Sequence, residues 1–224
     1  MHRIYLAKCF LVKRLDVKVD TAQDLQAHSH NDGACGIMSR MPCNSAQFTE
    51  KYLFLDFDGP LHPSTTLQGK NVGLIASNPT ALRDAGFFVW ADALEEVLLQ
   101  AEASQPVRIN VIVNSSWRAQ AWYSPPVIRQ ALGALGERIC GFTRSDLPRA
   151  QAVHDLCERM GIEDYLVIDD DIRAFEGHDD IQQHLLAVNP LRGVREPQVS
   201  SALLQWAAAE VPRPCGCLTP SSLG

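Results

Sequence analysis

Four short apolar runs punctuate the chain, and each ends in polar residues. Tyr52 to Leu55 leads into Asp56, and Arg108 to Val113 ends at Asn114 and Ser115. Tyr165 to Ile168 ends at Asp169, Asp170 and Asp171, and Leu185 to Val188 ends at Asn189 and Pro190. Short continuous apolar runs predict strands buried on both faces. Between them, apolar residues recur at helical spacing. Leu94, Val97, Leu98 and Ala101 share one helix face, with Asp92 and Glu95 spaced like a capping box. Ile128, Ala131, Leu132 and Leu135 repeat the pattern after Ser124 and Pro125, a cap followed by proline at the first helical position. Val153, Leu156, Cys157 and Met160 repeat it again, and Gly161 stands where a helix stops. Alternation of strand and helix predicts an α/β domain, a parallel sheet covered by helices.

The ends of the chain lack this pattern. Residues 1–50 read as a poorly ordered N-terminal extension, residues 51–210 as the folded domain, and residues 211–224, VPRPCGCLTPSSLG, as a disordered tail. The extension holds His28, His30, Asp32, Cys35 and Cys43, whose spacing matches no zinc finger or ribbon.

Composition narrows the function classes. The 224 residues are 46% hydrophobic and 21% charged, ordinary values for a chain that builds a core. The net charge of −6 is uneven, because residues 51–210 carry a balance of −8. An acidic domain of this kind excludes a generally basic nucleic-acid binder, while leaving room for a local basic pocket and suiting carboxylates gathered around a metal ion. The 7 cysteines follow no regular spacing, so no disulfide framework is expected. No apolar run approaches the ~20 residues of a membrane helix, and the expected location is cytoplasmic.

The chemistry gathers at the strand ends, the edge where open parallel sheets bind ligands. In LFLDFDGPLHP, residues 53–63, two aspartates alternate around Phe57 directly after a strand, and Gly59 lets the chain turn. Asp56 and Asp58, two apart, are read as leaving the edge on the same side, one to attack or bind a metal and the other to handle protons. In NSSWR, residues 114–118, an amide and two hydroxyls are suited to phosphate oxygens. The adjacent carboxylates of VIDDD are costly to hold together without a cation, for which Mg²⁺ is suited. No GxGxxG follows the first strand and no GxSxG occurs, so neither a nicotinamide or flavin enzyme nor a serine hydrolase is supported.

Through DFDG (56–59), VNSS (113–116), Arg149 and IDD (168–170), the chain resembles the haloacid dehalogenase (HAD) superfamily of phosphotransferases. Through DFDGPLHP, SSWR, IDDD and the late VNPLRGV (188–194), it is similar more closely to the HAD domain of Swiss Army Knife RNA repair proteins. The resemblance spans roughly residues 51–200. It implies a Rossmann-like three-layer α/β/α sandwich with a minimal cap or none. It also implies a phosphatase that acts through an aspartyl-phosphate, with Asp56 as nucleophile and Asp58 as general acid and base. Mg²⁺ would be held by Asp56, the Asp58 carbonyl and Asp169 or Asp170. Asn114 or Ser115, with Ser116 nearby, would bind the phosphoryl oxygens, and Arg149 would neutralise developing charge, with Arg144 as the competing base.

The departures from the superfamily pattern are Pro60 after DG, Asn114 in place of Ser or Thr, and Arg for Lys at the third motif. Arg118 is read either as grip on a second phosphate or a nucleic-acid backbone, or as a surface salt bridge. His62 is read as a leaving-group contact or a cap of the flap, and Trp117 as packing. Ser64 to Phe88 has room for a flap but not for a cap domain, so the site is expected to be open. Two function classes follow. One is a phosphatase acting on a phosphorylated substrate such as a nucleotide or nucleic-acid end, and the other a catalytically weak binding module that keeps the fold and the metal site.

Overall fold

The computed structural model describes residues 48–209. His28, His30, Asp32, Cys35 and Cys43 of the N-terminal extension, and the tail read over residues 211–224, lie outside the described residues.

Five strands form one parallel sheet. In chain order they are β1 (Thr49–Leu55), β2 (Val107–Val113), β3 (Ile139–Phe142), β4 (Tyr165–Asp169) and β5 (Leu185–Ala187), and in space they run β3-β2-β1-β4-β5. The α-helices are α1 (Val72–Ile75), α2 (Pro79–Asp84), α3 (Ala91–Ser104), α4 (Pro125–Leu132), α5 (Ala134–Glu137), α6 (Arg149–Met160), α7 (Asp179–Gln182) and α8 (Pro197–Ala208).

Alternating side chains along each strand feed two cores. Leu53 and Leu55 of β1, Val111 and Val113 of β2 and Ile168 of β4 pack on the face covered by α3, α4 and α8. Phe54, Ile112 and Val167 point the other way, against Ala150, Val153 and Leu156 of α6 and Ile181 of α7. Both faces are dry, which explains why the strands read as unbroken apolar runs. The result is the Rossmann-like three-layer α/β/α sandwich expected from the sequence.

The sequence expectations meet three corrections. Strand β3 and helix α8 were not foreseen. The helix expected over Ile128 to Leu135 breaks at Gly133, whose φ of 62° no β-carbon residue adopts cheaply, giving α4 and α5. Asp92 and Glu95 form no capping box, because Trp90 is the N-cap of α3 and Glu95 instead accepts from Arg138 Nε at 2.6 Å. Ser124 does stand at the N-cap of α4, but its side chain makes no capping bond. Gly161 caps α6 in the left-handed conformation as read.

Register positions the site. Leu55 is paired with both Val113 and Ile168, so the next residues, Asp56, Asn114 and the last residue of β4, Asp169, lie side by side. The central strand β1 is where the order reverses, since β2 and β3 lie to one side of it and β4 and β5 to the other. A crevice at such a reversal is the usual ligand site of an open α/β sheet.

Candidate active site

Asp56 is almost fully buried, and its main-chain N–H is held by the Ile168 carbonyl at 3.0 Å. Its carboxylate is split in environment. Oδ2 accepts from Arg149 Nη1 at 3.0 Å, whereas Oδ1 is buried without a partner. An orphaned carboxylate oxygen is a costly arrangement unless a cation or substrate completes it. Burial first, and then the neighbouring Asp169, hold the Asp56 carboxyl well above the usual aspartate range, against the pull of Arg149.

Asp169 is fully buried and pushed up to about 6, again by burial first, despite Arg149. Asp170 is raised by burial as well. Oxygens of Asp56, Asp169 and Asp170 all lie within 4.8 Å of one another, a compact set of hard anionic donors. Together with the unpartnered Asp56 Oδ1, they fit a Mg²⁺ ion.

Arg149, the first residue of α6, reaches into this cluster. Its Nη1 donates to both oxygens of Asp169, at 2.7 and 2.8 Å, as well as to Asp56, and Nη2 donates to Asp171 at 2.8 Å. Burial opposes its charge, but the three aspartates outweigh that cost and hold it above an ordinary arginine. Arg144 is elsewhere, exposed and paired with Asp146 at 2.6 Å.

Asp58 sits in a different environment from Asp56, and its carboxylate is not part of the acidic cluster. Its Oδ1 accepts from His62 Nε2 at 2.9 Å and its Oδ2 from Trp117 Nε1 at 2.8 Å. Trp117 does pack, as read, but its indole N–H also holds Asp58. That bond spans 59 positions and left no mark in the sequence.

The phosphate-facing candidates separate. The Asn114 amide oxygen accepts from Thr143 Oγ1 at 2.8 Å, which turns Nδ2 into a buried donor with no partner. Ser115 is buried, and its hydroxyl oxygen accepts from the Trp117 N–H at 3.3 Å. Ser116 is exposed on the wall of a cleft of about 600 Å³ that opens on Asp58. The facing wall carries Leu67, Lys70 and Val72, from the segment read as a flap. Arg118 makes no salt bridge among the described residues. Its guanidinium donates to the carbonyls of Ser115, Arg144 and Leu147 at 2.6, 3.1 and 3.3 Å, which ties the two loops beside the site together.

Two glycines allow the close approach. Gly59, at φ 85°, lies so near Asp170 that a β-carbon would overlap the carboxylate carbon. Gly193, in the late VNPLRGV string, is pressed against the Gly59 and Pro60 carbonyls, and the Val194 N–H donates to Pro60 O at 3.1 Å. That string therefore braces the turn that follows the first aspartates.

Comparison with known families agrees with this geometry. The family model described as the HAD domain in Swiss Army Knife RNA repair proteins matches residues 52–199. The chain belongs to that family. The matched span runs from β1 into α8 and includes every strand-end residue described above. No curated protein and no solved structure gives a significant match. No helix among the described residues is long and apolar enough to cross a membrane.

Proposed function

We propose that this HAD domain is a Mg²⁺-dependent phosphoric-ester hydrolase acting through an aspartyl-phosphate at Asp56, on the phosphate end of a nucleotide or nucleic acid. The observation that carries this reading is the pair of buried, unpartnered polar atoms at adjacent strand ends. Asp56 Oδ1 is an acceptor beside the acidic cluster, and Asn114 Nδ2 is a donor suited to a phosphoryl oxygen.

Asp56, Asp169 and Asp170, with the Asp58 carbonyl, would hold the ion. When bound, Mg²⁺ offsets the repulsion between phosphate and carboxylate and withdraws charge from the phosphoryl oxygens. Asp56 attacks phosphorus, the bond to the leaving oxygen breaks, and Asp58 gives that oxygen its proton. Asp58, now a carboxylate, takes a proton from water as the water attacks the aspartyl-phosphate, which releases phosphate and restores Asp56. Arg149 keeps Asp56 and Asp169 in place and supplies positive charge where the transition state gains negative charge. Asn114 Nδ2 orients the phosphoryl group.

The cleft favours a bulky leaving group. Its volume of about 600 Å³ is far more than a phosphate needs, and its walls mix Trp122 and Leu67 with Lys70 and Gln120. The departures that motivated a weak binding module keep working geometry, since Asn114 offers a donor and the Pro60 carbonyl accepts from Val194.

The test is phosphate release with Mg²⁺ from p-nitrophenyl phosphate, mononucleotides and 5′- or 3′-phosphorylated oligonucleotides. The reading expects turnover that is lost on chelation, with phosphorylated ends of nucleotides or oligonucleotides among the best substrates. Metal binding without turnover on any of these would favour the binding module instead.

A further inference from the structure

His62 takes no part in the bond making and breaking proposed above. It is fully buried in an aromatic box, with ring centroids of Phe87, Phe88 and Trp117 at 5.1, 5.6 and 5.9 Å. A polar ring in such a box is costly unless both nitrogens are used. Both are. The Phe88 N–H donates to Nδ1 at 3.4 Å, so Nδ1 is the acceptor nitrogen and Nε2 carries the proton. Nε2 then donates to Asp58 Oδ1 at 2.9 Å.

The backbone is arranged to make this contact. The loop from Phe57 to His62 closes on itself, with Leu61 N–H donating to Phe57 O and Gly59 N–H to His62 O, each at 2.9 Å. That closure brings His62 back over Asp58 although no helix joins them. On the other side, Phe88 is the one residue other than glycine with positive φ among the described residues, at 59°. Bulky residues adopt that conformation only where the surroundings impose it. Here it accompanies an N–H directed at His62 Nδ1.

From this geometry we propose that His62 is a positioning residue. In its neutral Nε2–H form it fixes the Asp58 carboxylate, together with Trp117 on the opposite oxygen, so that Asp58 faces the leaving group lying in the cleft. This role rests on the phosphatase reading of the site. Two donors from two separate elements remove the rotation of the Asp58 carboxylate about its own axis, while its side chain keeps 16% exposure on the cleft side. A proton donor held in one orientation avoids the loss that misplacement brings in the transition state.

Leaving-group dependence separates positioning from structure. p-Nitrophenolate departs without a proton, whereas an alkoxide needs one. The variants are His62→Leu, which removes both bonds, His62→Gln, whose amide nitrogen can replace Nε2, and Trp117→Phe, which keeps the aromatic packing and deletes one donor. The parent and variants are compared on p-nitrophenyl phosphate and on an alkyl phosphate. Expected is a roughly 10- to 100-fold fall in kcat/KM, which reports the steps through departure of the leaving group and not the shared hydrolysis of the aspartyl-phosphate, for the alkyl phosphate in His62→Leu, with a much smaller change in kcat/KM on p-nitrophenyl phosphate and substantial recovery in His62→Gln. Trp117→Phe, the variant that retains its packing, is expected to show the same substrate bias.

An equal fall on both substrates, or none, in folded variants of an active parent overturns the positioning role and leaves the phosphatase reading intact. A parent inactive on every phosphoester overturns both. Nitrogen NMR of the imidazole checks the contact independently of turnover, with a protonated Nε2 expected in the parent and a changed Nε2–H signal in Asp58→Asn. A protonated Nδ1 in the parent would overturn the role.

Discussion

A single nitrogen of Arg149 bridges the two most deeply placed carboxylates of the site, donating to Asp56 at 3.0 Å and to Asp169 at 2.7 Å. Residues 93 and 20 positions away are thereby joined at one point on the sheet edge. The bridge offsets part of the repulsion between the acids and leaves Asp56 Oδ1 without a partner.

Replacement of Arg149 by Met tests that bridge. Breaking a buried pair leaves an uncompensated charge at a cost of about 3 kcal/mol, so the metal-free variant should unfold at lower denaturant near neutral pH than the parent. Saturating Mg²⁺ is expected to recover part of the loss. Phosphatase activity should drop by roughly 10²- to 10³-fold, and Arg149→Lys should retain more of it. Unchanged stability in Arg149→Met would contradict the coupling.

The acidic cluster sets an opposed pH dependence with and without metal. Asp169 holds its proton up to about 6, above the roughly 3.9 of an aspartate in the unfolded chain. The stability tied to that proton is complete below about pH 4 and is lost as the pH rises through about 6 in the metal-free protein. Mg²⁺ binds the ionised form, so the rise in Tm that it produces should grow between about pH 5 and pH 7. Asp169→Asn should flatten both trends. A Mg²⁺ effect independent of pH in the parent would contradict the assignment.

Gly59→Ala is predicted to damage the site more than the fold. The added methyl must displace the Asp170 side chain or the positive-φ turn itself. Mg²⁺ affinity, followed by calorimetry, should fall at least tenfold, while the spectrum of the folded protein is kept. Undiminished metal binding would show that Asp170 takes no part in holding the ion.

Thr143→Val removes the hydroxyl that fixes the Asn114 amide at 2.8 Å and changes little volume. Freed from that bond, the amide can turn its oxygen toward the phosphate. The expected outcome is a several-fold rise in KM, and about 1 kcal/mol of lost stability from the buried hydrogen bond. An unchanged KM would place phosphate recognition elsewhere.

The parts legible in the sequence are those written in contiguous residues. The apolar runs into Asp56, Asn114 and Asp169 mark strand ends because both faces of the sheet are dry. Strand β3 escaped notice because ICGF is four residues long, with a cysteine and a glycine on an edge strand. Helix α8 buries Val199, Leu203 and Ala207, with Leu204 and Trp206 half-buried beside serines, glutamines and alanines, so its apolar stripe has no clean polar border. The bonds from Trp117 to Asp58, Thr143 to Asn114 and Val194 to the Pro60 turn all depend on loops meeting in space, which no local pattern encodes. His62 lies only four residues from Asp58, but a closed loop brings them together, so helical spacing gave no clue.

The most direct test of the central claim is the mass of the protein quenched in acid during turnover of a phosphoester with Mg²⁺. The account predicts one phosphoryl group on the parent, mapped to Asp56, and neither adduct nor turnover in a folded Asp56→Asn variant. Turnover by Asp56→Asn equal to that of the parent, with no adduct on either protein, would contradict it.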